Sequence, residues 1–190
     1  MRAPKRAVTM NHGQVMPAWY DIKVFSINNS QLDEEGVMEG VRGIRELIEA
    51  EITGGIPCSR IVLGGFSQGA GLALLTGLTG DSNKRLAGLT ALSGLLPLRD
   101  KLKELISPHA TSIPIFWGTG SADPLVTIEI VEKCVEILQT LGLTVRRGSK
   151  DVEPGISFNI YDGLQHSTDP FELLDLKTWL KKVIPAHAKL

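Results

Sequence analysis

Cysteine is scarce in this sequence: Cys58 and Cys134 are the only two among 190 residues. Two cysteines so far apart exclude a disulfide-built scaffold and a cysteine metal knuckle. The basic start, Met1-Arg2-Ala3-Pro4-Lys5-Arg6, has no apolar stretch behind it, so no secretory signal is expected. The thiols are therefore expected to be reduced, packed as small apolar residues, in a cytoplasmic or also nuclear compartment. Long hydrophobic runs are lacking too, and none approaches the ~18 residues of a membrane-spanning helix. Nor does one sign of charge dominate: 20 Lys+Arg against 21 Asp+Glu give a net charge of -1. That balance excludes phosphate neutralisation as the main task, and nucleic acid is not an expected partner. Low complexity is absent as well, and 43% hydrophobic with 22% charged residues is the composition of a folded chain. With no internal repeat and no Ser- or Gly-rich linker, a single domain over residues 1–190 is expected.

The pattern along the chain is one of strands alternating with helices. Met1 to about Ile27 has weak periodicity and is expected to be a loop or flap with one short strand at Arg6–Thr9; Asn28-Asn29-Ser30 marks a turn. Val37, Val41, Ile44, Leu47, Ile48 and Ile52 recur every three or four residues and predict a helix over Leu32–Ile52. Short apolar runs predict buried strands at Arg60–Gly65, Leu86–Ser93, Ile113–Trp117 and Ile156–Tyr161. Helices are predicted over Gln68–Thr79, Val126–Leu141 and Asp169–Ile184, the last with Phe171, Leu174, Leu176, Trp179, Leu180 and Val183 inward. This order implies an α/β fold, a mostly parallel sheet with helices on both faces.

The sharpest local signal is Gly65-Phe66-Ser67-Gln68-Gly69, a G-x-S-x-G pattern directly after a predicted strand and directly before a predicted helix. Such a turn lifts a serine hydroxyl above the sheet, and its flanking glycines avoid collisions with strand and helix. The helix dipole and the Gln68 N–H then face any oxyanion formed at the serine. The competing reading is a Gly-rich turn that cradles a phosphate, but no Gly-Lys-Ser or Gly-Lys-Thr follows.

A serine nucleophile needs a base, and the sequence offers His12, His109, His166 and His187. In this strand–turn–helix context the order is serine, acid, histidine, which removes His12. His187 lies in a polar tail and His109 in an irregular stretch, whereas His166 follows a strand at its carboxyl end, where ligands bind in open α/β sheets. The acid is sought between them. Asp123 follows the Ile113–Trp117 strand in a glycine-bearing loop; its alternative is to cap the helix that follows Pro124. Asp100 and Asp151 lie in charged stretches, and Asp162 is too close in sequence to His166. Ser67 as nucleophile, His166 as general base and Asp123 as its orienting acid are the expected catalytic group.

Together these segments resemble a known family. Gly64 to Gly69, Leu92-Ser93-Gly94-Leu95-Leu96-Pro97-Leu98, Gly120 to Val126 and Tyr161 to Ser167 are similar to the acyl-protein thioesterases, the small carboxylesterase and lysophospholipase group of α/β-hydrolases. Met16-Pro17-Ala18-Trp19-Tyr20-Asp21 looks like that family's lid, so residues 10–22 are expected to be a lid-like loop. The resemblance implies hydrolysis of thioester-linked palmitoyl groups on S-acylated proteins through an acyl-enzyme on Ser67. It also implies some carboxylester and lysophospholipid activity, transient contact with a membrane surface, no metal and no organic cofactor. Val15, Met16, Trp19, Leu95, Leu96 and Leu125 would line an acyl groove; the plainer reading of these residues is core packing.

The likeness departs at the start. Family members carry earlier strands, a His-Gly-rich loop that gives a second oxyanion donor, and a first helix. His12-Gly13 follows no buried strand and is not that loop. The expectation is an α/β-hydrolase fold truncated at its N-terminal strands, with the Arg60–Gly64 strand as an exposed edge through which the chain would form a homo-oligomer. The alternatives to a thioesterase are a carboxylesterase or lysophospholipase, and a weakly active or inactive form that binds acyl chains.

Overall fold

The computed structural model describes residues 2–24, 32–81 and 83–185; Asn28-Asn29-Ser30 and His187 lie outside the described residues. Strands β1 (Lys5–Val8) and β2 (Gln14–Pro17) form an antiparallel hairpin, turned through His12 and Gly13 at positive φ. One strand was expected here and two are found. The second was illegible because Gln14–Pro17 is largely exposed and lacks an alternating apolar pattern.

Helix α1 (Glu34–Thr53) starts where the Asp33 side chain accepts the Gly36 N–H, with Glu34 and Glu35 in its positive first turn. It buries Val37, Val41 and Ile44, while Leu47 stays exposed. A parallel sheet then follows in register: β3 (Val62–Phe66), β4 (Gly88–Leu92), β5 (Pro114–Gly120), β6 (Val145–Arg147) and β7 (Gly155–Tyr161), in the order β3-β4-β5-β7-β6. Helices α2 (Gln68–Leu78), α3 (Leu102–Leu105), α4 (Ile128–Thr140) and α5 (Pro170–Val183) complete the order. Among the described residues β3 stands at one margin of the sheet.

Alternation along the strands divides the core. Leu89, Ala91, Ile115, Trp117, Ile156 and Phe158 pack with α1, α2 and α4 on one face. Leu92 and Phe116 meet Trp179 of α5 on the other. The last helix corrects the sequence pattern: Phe171 and Leu174 are 75% and 57% exposed, whereas Glu172 between them is fully buried. The rest of the expected stripe holds, with Trp179 buried and Leu176, Leu180 and Val183 partly buried in the same cluster, so the departure is confined to the first turns, where Glu172 is inside and Phe171 and Leu174 are outside. Glu172 fits because β5 carries glycine at 118, where a Cβ would collide with its Oε1. Cys58 and Cys134 are both free thiols, and Cys134 is buried in the core while Cys58 is half-buried. Among the described residues no helix is long and apolar enough to cross a membrane.

Candidate active site

Ser67 sits between β3 and α2 at φ 55°, ψ -121°, a conformation that L-residues rarely adopt. The turn holds because the Ser67 N–H donates to the Leu92 carbonyl (2.9 Å) and the Ser67 carbonyl accepts the Gly71 N–H (3.2 Å). Gly65 is sterically required: a Cβ there would fall on the Gly69 carbonyl group. Gly69 is not required in this way, since the nearest atom to a Cβ there is Trp19 Nε1 at 3.8 Å. The expectation that both flanking glycines avoid collisions therefore holds for the first alone. Gly94 does for the neighbouring loop what Gly65 does for the turn, because a Cβ there would meet Ala70 Cβ.

Ser67 is also the N-cap of α2, so Gln68 opens the helix. Its N–H belongs to the first turn, where no intrahelical partner exists and the dipole is positive.

The structure brings Ser67, His166 and Asp123 together. His166 Nε2 lies 2.9 Å from Ser67 Oγ, and His166 Nδ1 lies 2.7 Å from Asp123 Oδ2. The Asp123 side chain is fully buried and the imidazole is 17% exposed. Asp123 Oδ1 accepts the Leu125 and Val126 N–H groups, both at 2.9 Å. Thr127, not Asp123, is the N-cap of α4. One carboxylate thus shapes its own turn with one oxygen and presents the other to the imidazole. The ring of Phe66 stacks at a tilt against His166, centroids 4.9 Å apart.

The acid loop and the histidine loop are stitched to each other. The Ser121 N–H donates to Tyr161 O (3.0 Å) and the Ala122 N–H to Leu164 O (3.1 Å). A Cβ at Gly120 would fall on the Leu164 carbonyl, so only glycine permits this approach. Asp162 belongs to the stitching as well, as the acceptor for Ser121 Oγ.

The other two described histidines are elsewhere. His12 lies exposed in the hairpin turn, and His109 Nδ1 meets Ser107 Oγ at 2.6 Å, its pKa lowered chiefly by burial.

Over the serine lies a cleft of about 390 Å³ lined by Met10, Met16, Trp19, Phe66 and Leu125 around Ser67 and His166. Of the expected groove residues, Met16, Trp19 and Leu125 are in its wall. Val15 is not: neighbours on a strand point to opposite faces, and Val15 is 64% exposed. Leu96 is fully buried with its N–H toward Cys134 Sγ (3.5 Å), and Leu95 packs against the same core. Both belong to the core because the loop after β4 turns beneath α2, with a Cβ at Gly71 coming 3.0 Å from Pro97 Cδ.

Two further side chains matter and were not singled out from sequence. The carboxamide of Gln68 bonds to the backbone at Trp19 and Tyr20. Glu172, three residues past the α5 N-cap Asp169, has both carboxyl oxygens buried with no partner among the described residues. Burial, assisted by the Asp169 charge, pushes its pKa up to about 7.

A parallel sheet with a serine on a strained strand-to-helix turn, and a histidine and an acid delivered by two later loops, is the architecture of an α/β-hydrolase. Residues 1–184 match the phospholipase/carboxylesterase family, and the chain belongs to that family. It is 42% identical over 186 residues to acyl-protein thioesterase 1 of Cryptococcus neoformans var. neoformans, covering 96% of this chain and 77% of that protein. It is 37% identical to acyl-protein thioesterase 1 of Saccharomyces cerevisiae, covering 95% and 74% respectively. Among solved structures, SOBER1 of Arabidopsis thaliana superposes with a TM-score of 0.83 at 30% identity, over 96% of this chain and 81% of that one. Acyl-protein thioesterase 2 of Zea mays gives 0.76 at 25% identity, over 96% and 79%.

Proposed function

We propose that this chain is a serine hydrolase that cleaves thioester-linked acyl chains, palmitoyl above all, from S-acylated proteins. The observation that carries the reading is the continuous hydrogen-bonded path from Ser67 Oγ through His166 to Asp123 Oδ2. The relatives named acyl-protein thioesterase support the substrate class. The apolar cleft over Ser67 suits a fatty chain whose carbonyl must reach the serine.

The chemistry follows from the geometry. The neutral imidazole donates Nδ1–H to Asp123 and accepts the Ser67 hydroxyl proton at Nε2 as Oγ attacks the thioester carbon. Asp123 holds this tautomer and stabilises the imidazolium that forms. The developing oxyanion receives the Gln68 N–H and the positive end of α2. The imidazolium then gives its proton to the departing cysteine sulfur, leaving an acyl ester on Ser67. Water, deprotonated by His166, attacks that ester and releases the fatty acid.

The test is labelling of the intact chain with a fluorophosphonate, followed by peptide mapping. An adduct on Ser67 that disappears in Ser67→Ala is expected. Folded protein that takes no label would overturn the reading in favour of a non-catalytic acyl binder. Faster turnover of a lysophospholipid than of a palmitoylated peptide would replace the thioesterase by a lysophospholipase.

A further inference from the structure

The side chain of Gln68 spans two parts of the site that are distant in sequence. Trp19 N–H donates to its Oε1 at 2.9 Å, and its Nε2 donates to Tyr20 O at 2.9 Å. We propose that this carboxamide is a positioning residue that sets acyl-chain specificity, clamping the Trp19–Tyr20 strap as the wall of the cleft while its own N–H serves the oxyanion. The inference rests on the hydrolase reading above and deepens it.

The chemistry of the two partners selects the residue. Trp19 presents a backbone donor and Tyr20 a backbone acceptor, side by side on consecutive residues. A carboxamide offers one acceptor and one donor from a single planar group, so it satisfies both at once. A carboxylate at the same place would set an oxygen against the Tyr20 carbonyl, and a hydroxyl would be too short.

The strap is tied down on its other sides by groups that do not touch α2. Ala18 N–H donates to Pro4 O (3.0 Å), and Met10 N–H to Ile22 O (2.8 Å), which join it to the hairpin. Asp21 N–H donates to Asp33 Oδ2 (2.8 Å), at the start of α1. Gln68 supplies the connection to the helix that begins at the nucleophile. The distance from Ser67 to the Trp19 wall is therefore fixed by the same residue whose backbone faces the reacting carbonyl.

The consequence for specificity is geometric. The carbonyl and first carbons of any acyl group lie at Ser67 and the α2 N-terminus. Only a longer chain extends along Met16, Trp19 and Leu125. Loosening the strap withdraws contacts that strengthen with chain length, and it does so without removing the Gln68 N–H.

The experiment compares kcat/KM for p-nitrophenyl decanoate with that for p-nitrophenyl butyrate, in the full chain and in Gln68→Met. Methionine is similar in reach, and it keeps the backbone N–H but makes neither bond. Both rates are expected to fall, and the decanoate-to-butyrate ratio to drop about tenfold, the combined worth of two such hydrogen bonds. The drop should reside in KM for decanoate. Should Gln68→Met fail to fold, Gln68→Glu keeps an acceptor for the Trp19 N–H but sets an oxygen against the Tyr20 carbonyl, so a fall in the same ratio is again expected. An unchanged ratio in a folded variant overturns the inference alone. No turnover of either ester by the unaltered chain overturns the hydrolase reading, and this inference with it.

Discussion

Ser121 Oγ donates to Asp162 Oδ1 at 3.0 Å and accepts the Gly163 N–H at 2.8 Å, so one hydroxyl clasps the loop of Asp123 to the loop of His166. Neither residue touches the reacting atoms, yet their contact adds to the Ser121–Tyr161 and Ala122–Leu164 backbone bonds that hold acid and base in place. Ser121→Ala should therefore lower kcat about tenfold with little change in KM, because small misplacements of catalytic groups are expensive. Steady-state kinetics on a short ester checks this, and an equal change in both constants would count against it.

The elbow glycines make a sharper pair. Gly65→Ala places a methyl on the Gly69 backbone, and a loss on the order of 3 kcal/mol or failure to fold is expected. Gly69→Ala meets only Trp19 Nε1 at 3.8 Å and gains helix propensity worth about 1 kcal/mol. Thermal melting of the two variants should move in opposite directions, and similar losses in both would contradict the steric account.

Glu172 gives the fold a pH dependence whose sign follows from burial. Its folded pKa is raised from 4.5 to about 7 by desolvation first and the Asp169 charge second. The folded state thus favours the protonated acid. The stability this confers is full below the unfolded pKa and is lost as pH climbs through about 7, a change on the order of 3 kcal/mol. Glu172→Gln is neutral throughout, so it should melt near the parent at about pH 4 and above it at about pH 9. Parallel melting curves across that range would show that the carboxyl is not held neutral.

What the sequence discloses and what it withholds follow physical lines. The spacing of Val37, Val41 and Ile44 exposes the buried face of α1, since one amphipathic period repeats for five turns. The serine turn is legible because its glycines, strand and helix are contiguous. Asp123 and His166 could be placed by order and by their strand ends, although the Ser121–Asp162 clasp between their loops has no local signature. β6 was missed because Val145–Arg147 is three residues long and carries two arginines, too short for any period. The burial of Glu172 was unreadable for a different reason: the room it occupies is made by Gly118, on another strand. In the same way, Gln68 acts through backbone atoms 49 and 48 residues away, which no pattern of side chains reveals.

Among the described residues β3, which delivers the serine, is laddered to β4 on one flank and to no strand on the other. The histidine and the acid, by contrast, hang from β7 and β5, each with a neighbour on both sides. Marginal strands open at lower free energy than central ones. On heating, then, the nucleophile should desert its partners while most of the molecule is still intact, and enzymatic death should arrive ahead of denaturation.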